Sequence, residues 1–203
     1  MNTPAASAPT LPDQRTLRRA RTEIIAGHFN EMLAVLEPFS TSNNDLAKTL
    51  YAYCLAGTNQ PEEAAEILCD IASRHAGTEH PLQALSDLLA ELDKRPLAEA
   101  VCRAALERTP QDARIYDILG NLLVQCGQFD EAISLLRHAV DLRPNSMHSH
   151  NLLAMALLEQ GRFDEALAHL QNVLETQPDH AGTLSNIGCM LAGKGRLDEA
   201  LDY

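Results

Sequence analysis

The sequence predicts an all-α fold, a solenoid of short antiparallel helix pairs. Three recurrences predict it. Gly127, Gly161 and Gly195 stand 34 residues apart, Pro110, Pro144 and Pro178 keep the same step, and so do the Asp-Glu-Ala triplets beginning at Asp130, Asp164 and Asp198. A fixed period of this length marks stacked repeats, each burying its apolar face only against its neighbours. Aromatic residues make up only 4% of the 203-residue chain, and the apolar content is mostly Leu and Ala, which suits helices better than sheets.

Taken in order, residues 1–12 are rich in Pro, Ala, Ser and Thr and are expected to form a disordered tail. The solenoid then occupies 13–203 in about five and a half repeats, at approximately 13–44, 45–78, 79–112, 113–146, 147–180 and an incomplete 181–203. The earlier copies are degenerate: Gly27 to Met32 and Pro61 to Ala64 echo Gly127 to Ala132. Lys94 to Ala100 departs furthest: Ala100 stands 36 residues after Ala64 and 32 before Ala132, which implies a longer turn around Lys94–Pro96 and a correspondingly shorter second helix ending before Pro110. The repeat 113–146 is the clearest. Ile115, Ile118, Leu119, Leu122 and Leu123 fall at helical spacing, and Gly127 ends that helix in the left-handed conformation. Asp130 is placed to cap a second helix, whose stripe is Ala132, Ile133, Leu135, Leu136, Ala139 and Val140, and Pro144 stops it. Glycine inside a helix costs about 1 kcal/mol relative to alanine, so Gly120 and Gly188 imply close packing.

These positions resemble the tetratricopeptide repeat (TPR) family. The resemblance rests on Leu119-Gly120, Gly127, Phe129, Ala132, Ala139 and Pro144, then Leu153-Ala154, Gly161, Phe163, Ala166 and Pro178, then Ile187-Gly188, Gly195, Leu197 and Ala200. It implies a right-handed superhelical solenoid whose first helices line a concave groove for peptides or proteins. Three ladders of the 34-residue step fall on those first helices: His80, Arg114 and His148; Gln83, Asp117, Asn151 and Ser185; and Tyr53, Asp87, Asn121, Met155 and Cys189. They are expected on the side away from the Leu and Ala stripes and, with Asn186, make the candidate partner-binding face. Some TPR co-chaperones hold a terminal carboxylate with a Lys and Asn clamp. Asn121 matches it, whereas Asp117 takes the lysine place and Leu152 the next asparagine. Asn186 matches the asparagine ladder of O-linked GlcNAc transferase, whereas Leu152 and Ile118 do not. Neither specificity carries over.

A net charge of -12 argues against nucleic acid and anionic membranes, and favours a neutral or basic protein partner. The five cysteines are scattered and form no CxxC pair, so neither a disulfide framework nor a zinc site is expected, and buried thiols are. The N-terminus lacks a secretory pattern and no apolar run is long enough to span a bilayer, so a cytoplasmic protein is expected. Arg outnumbers Lys, which points to a GC-rich bacterial source. His148 and His150 sit two residues apart, which turns their rings about 200° from each other on a helix, a poor metal pair. No motif of a hydrolase, zincin, P-loop or dinucleotide fold occurs, and the Asp-Glu pairs suit helix starts. No cofactor, metal or catalytic residue is expected.

Three functions follow. The first is a non-catalytic scaffold that binds a peptide or protein in the groove. The second is the substrate-docking N-terminal arm of a larger enzyme, as in bacterial TPR–glycosyltransferases, because the repeat stops at Tyr203 midway through a second helix. The third is a self-assembling scaffold that associates through the open C-terminal repeat, where Leu191, Leu197 and Leu201 are expected to lie uncovered.

Overall fold

The computed structural model describes residues 12–74 and 80–202. The expected tail lies outside the described residues except for Pro12, which is buried. Among the described residues every regular element is helical. The chain divides into two compact units, Met1–Pro110 and Gln111–Tyr203.

In the N-terminal unit α1 (Gln14–Ile25) pairs with α2 (Phe29–Leu36), α3 (Asp45–Gly57) with α4 (Pro61–Arg74), and α5 (Pro81–Glu91) with α6 (Arg95–Arg108). In the C-terminal unit α7 (Ala113–Gln125) pairs with α8 (Phe129–Leu142), α9 (Met147–Glu159) with α10 (Phe163–Thr176), and α11 (Ala181–Gly193) with α12 (Leu197–Ala200). The second helix of a pair also packs on the first helix of the next, as α2 does on α3, α4 on α5, α8 on α9 and α10 on α11. First helices meet directly, α1 with α3 and α3 with α5 in one unit, α7 with α9 in the other.

One turn recurs between the helices of a pair. The N–H groups of Gln60, Lys94, Gln128, Arg162 and Arg196 donate to the carbonyls of Leu55, Leu89, Leu123, Leu157 and Leu191, at 2.7–2.9 Å. This bond reaches back five residues and satisfies a carbonyl at the helix end, which requires one left-handed residue in between. That residue is Asn59, Asp93, Gly127, Gly161 or Gly195, with φ of 66°, 56°, 75°, 73° and 74°. Asn and Asp are the side chains that tolerate this region best, so the turn persists where glycine is lost.

The same register corrects the alignment at the third pair. Ala98, not Ala100, stands 34 residues from both Ala64 and Ala132, and all three are buried. The α5–α6 turn is residues 92–94, as short as 126–128, and α6 has 14 residues, as many as α8, so neither the longer turn nor the shorter second helix exists; Pro96 sits in the first turn of α6, where its missing N–H costs nothing.

Capping also differs from expectation. Side chains cap the first helices: Asp13, Asn44, His80, Asp112, Ser146 and His180 each accept a backbone N–H of the first turn. Asp130 caps nothing. Gln128 is the cap residue of α8, without a side-chain bond, and Asp130 and Glu131 lie inside the first turn, where their charge offsets the positive end of the helix dipole. After the left-handed Gly127 only Gln128 remains before α8, so the cap place falls on Gln128.

Alanine and glycine let the helices approach. A Cβ added at Gly120 would lie 2.6 Å from Leu136 Cγ on α8, and one at Gly57 would fall on the Phe29 ring. Gly188 has no such reason: its nearest atom would be the Ala200 carbonyl oxygen at 3.6 Å, an ordinary contact. Leu197 and Leu201 are exposed, but Leu191, expected beside them, is buried among α9, α10 and α11 residues.

Candidate functional site

First helices have two faces to satisfy, one against the second helices and one left over. In the N-terminal unit the left-over faces of α1, α3 and α5 enclose a groove of about 560 Å³. Its apolar surface comes from Ile25, Leu46, Leu50 and Leu88, with Tyr53 and Thr49 between them. Ile25 and Leu46 are 53% and 54% exposed, unusual for large aliphatic side chains on a packed helix. Arg21 of α1 stands on one side, and Asp87 and Glu91, one turn apart on α5, on the other. A hollow of about 480 Å³ adjoins it, sharing Arg21, Leu46 and Leu50 and adding Arg18, Leu17 and Pro12.

The candidate residues of this unit divide. Tyr53 and Asp87 both line the groove. The Tyr53 hydroxyl donates to the Pro81 carbonyl at 3.4 Å, which ties α3 to the start of α5. Gln83 donates to Asp87 Oδ1 at 2.8 Å along the same helix. His80 is buried, and its Nδ1 accepts the Leu82 N–H at 3.2 Å, so it serves as the α5 cap.

In the C-terminal unit the polar ladder is partly consumed by structure. Arg114 grips the Asp112 carboxylate twice, at 3.0 and 2.8 Å, which holds the α7 cap and raises the guanidinium's proton affinity. Asp117 is only 2% exposed. Its Oδ2 accepts from Arg143 at 2.7 Å and from Ser149 at 2.9 Å, while Oδ1 is buried without a hydrogen-bond partner among the described residues. Burial raises its pKa, against the pull of Ser149, His148 and Arg143. Asn151 accepts from the buried Thr183 hydroxyl at 3.1 Å, joining α9 to α11. His148, Met155, Ser185 and Cys189 are exposed, and Asn121 and Asn186 are half-buried.

His148 and His150 point apart, as their spacing requires. His150 is buried, and its Nε2 can only donate to the Pro144 carbonyl at 2.8 Å. In the neutral ring Nδ1 then accepts from His169 Nδ1, 3.1 Å away on α10. Burial, then repulsion from His150 and Arg137, lowers the His169 pKa.

The cysteines are not uniformly buried. Cys54, Cys69 and Cys102 are, and burial pushes the Cys54 and Cys102 thiols up to about 12, far from the reactive thiolate. Cys126 and Cys189 are exposed; Cys126 is the cap residue just past α7, and Cys189 lies in α11. Among the described residues no three His, Cys, Asp or Glu side chains converge to hold a metal ion. No helix among them is long and apolar enough to cross a membrane.

Sequence reasoning missed Ile25, Leu46 and Arg21. A signal for Leu46 exists, since it stands one 34-residue step before His80, as Thr49 does before Gln83. Ile25 and Arg21 have no such signal, because the first pair falls out of step with the rest: Gly27 and Asn59 are 32 residues apart.

Family models of the tetratricopeptide repeat match residues 84–146, and 123–185 with 157–203. Together they span 84–203, more than half of the chain. Among solved structures, MamA is 19% identical, over 73% of this chain and 87% of its own, with a TM-score of 0.55. TTC0263, a thermophilic TPR protein of Thermus thermophilus, is 21% identical over 94% and 99%, with a TM-score of 0.51. YrrB, a TPR protein with an unusual peptide-binding site, is 20% identical over 85% and 90%, with a TM-score of 0.50. At such identities the likeness is one of fold. No curated protein matches the chain. With its turn recurring every 34 residues, its buried alanine ladder and these matches, the chain belongs to the tetratricopeptide repeat family.

Proposed function

We propose that this chain is a non-catalytic scaffold that holds a segment of a partner protein on the outer faces of its first helices. One observation carries this reading: α1, α3 and α5 leave Ile25 and Leu46 half in solvent inside a groove rimmed by charge. Aliphatic side chains exposed together and rimmed by polar groups mark interaction surfaces. The peptide-binding site of YrrB, a protein of the same fold, supports the reading. Asn121, His148, Asn151, Met155, Ser185, Asn186 and Cys189 make a second, more polar contact face in the C-terminal unit. The partner is protein, and the cytoplasm is the proposed compartment.

The test is a pair of groove variants, Leu46→Asp and Ile25→Asp. Both side chains are already exposed, so folding is expected to survive. Partners retained by the wild-type chain on a column should be lost by both variants, with unchanged helicity. Equal retention of every partner would remove the N-terminal groove from the account.

A further inference from the structure

Arginine use across the molecule is uneven. Each of the nine arginines outside α1 is in an ion pair with a carboxylate, from Arg74 with Asp45 to Arg196 with Glu199. The four on α1, Arg15, Arg18, Arg19 and Arg21, are in none among the described residues, although the chain carries 28 acidic residues against 16 basic ones. Two of the four, Arg18 and Arg21, line the hollows described above. On the far side, Asp87 meets only the neutral Gln83 amide and Glu91 is in no ion pair, again among the described residues. The groove therefore keeps uncompensated charge of opposite sign on its two walls, with aliphatic surface between.

We propose that the N-terminal groove selects a partner segment that is acidic at the α1 wall, aliphatic in the middle and basic at the α5 wall. This rests on the scaffold reading and specifies its ligand. Two aliphatic side chains cover Ile25, Leu46 and Leu88; a carboxylate meets Arg18 and Arg21; a Lys or Arg meets Asp87 and Glu91. Opposed walls fix the direction in which the segment lies, because reversing it sets like charges against each other. The overall acidity of the chain does not select the ligand here, since charges more than about 10 Å away are screened at ordinary salt.

The probe is a randomised dodecapeptide library selected on the full chain. Enriched peptides are expected to carry acidic and basic residues at opposite ends of an aliphatic centre. They should bind Arg18→Glu/Arg21→Glu about tenfold more weakly at low salt, and changing the peptide's acidic residue to Lys should restore that loss. Peptides that lose binding on Leu46→Asp but ignore the charge variants would overturn this inference and leave the groove reading intact. Peptides indifferent to Leu46→Asp as well, or a library with no enriched sequence, would overturn both.

Discussion

Gly120→Ala sets two known effects against each other. On an isolated helix the change is favourable by about 1 kcal/mol, because alanine restricts the unfolded chain. In this protein the added Cβ would stand 2.6 Å from Leu136 Cγ and 2.7 Å from Cδ2, where carbon atoms prefer about 3.5–4.0 Å. The Cγ is the branch point of a side chain with no exposed surface, so rotating the end of the side chain does not relieve the clash. Either Leu136 leaves its rotamer or α7 and α8 separate, and overpacking of this kind costs about 1–3 kcal/mol. The packing term wins, and the variant is expected to lose up to about 2 kcal/mol, several degrees of melting temperature in a unit of this size. Gly193→Ala is the control: it lies in α11 with nothing within 4 Å of the added carbon, so only the propensity gain remains. Thermal melts of the full chain followed by circular dichroism should move in opposite directions. Equal stabilisation by both changes would refute the account of close approach. A cycle with Leu136→Ala sharpens the test, because that truncation should cost less beside Ala at 120 than beside the native glycine.

Two further predictions concern titrating groups. The folded state favours neutral His169, through burial, His150 and Arg137 against the weaker pull of Glu165, so its stabilising share is present above the ordinary value of 6.5 and fades as pH falls below it. Melting temperature should drop on acidification from pH about 7 to about 5, and His169→Gln should flatten that slope; an unchanged slope would contradict the paired-imidazole geometry. Asp117 has the opposite sign: a raised carboxyl pKa favours the protonated fold, and that contribution fades as pH rises through the folded value. Asp117→Asn should therefore melt within about 1 kcal/mol of wild type at neutral pH, whereas Asp117→Ala strips the buried Ser149 hydroxyl of an acceptor and should lose about 1–3 kcal/mol. Equal losses in the two variants would mean that the charge itself is what matters.

The helix pairs were legible because their punctuation is chemical. Only a few residues accept a left-handed turn, and a buried alanine is needed wherever two helices cross closely, so both leave marks at a fixed step. The one misalignment, Ala100 for Ala98, came from trusting the Asp-Glu-Ala pattern over the turn, where Asp93 replaces glycine. The candidate site was less legible because a ladder records position, not engagement. His80 and Arg114 occupy the same rung, yet one caps its helix directly and the other braces the aspartate that does. Asp117 shares a rung with Gln83, yet meets Arg143 from the end of α8 and Ser149 from α9, partners that no period announces.

Net charge misleads in the same way that a ladder does. A total of -12 suggests a basic ligand, but the total mixes charges already neutralised by neighbours with charges still facing water. Where an arginine is ion-paired, as with Arg143 on Asp117 or Arg162 on Glu165, it has little left to offer a partner. The arginines of α1 form no such ion pair among the described residues: the first turn of α1 contains no acidic residue, the Asp13 carboxylate that attracts Arg15 caps the helix at Thr16, and no acid engages Arg18 or Arg21 as Glu165 engages both Arg137 and Arg162. What an acidic scaffold can recognise is set by the charge that remains after internal pairing, and in the N-terminal groove that remainder is positive on one wall and negative on the other.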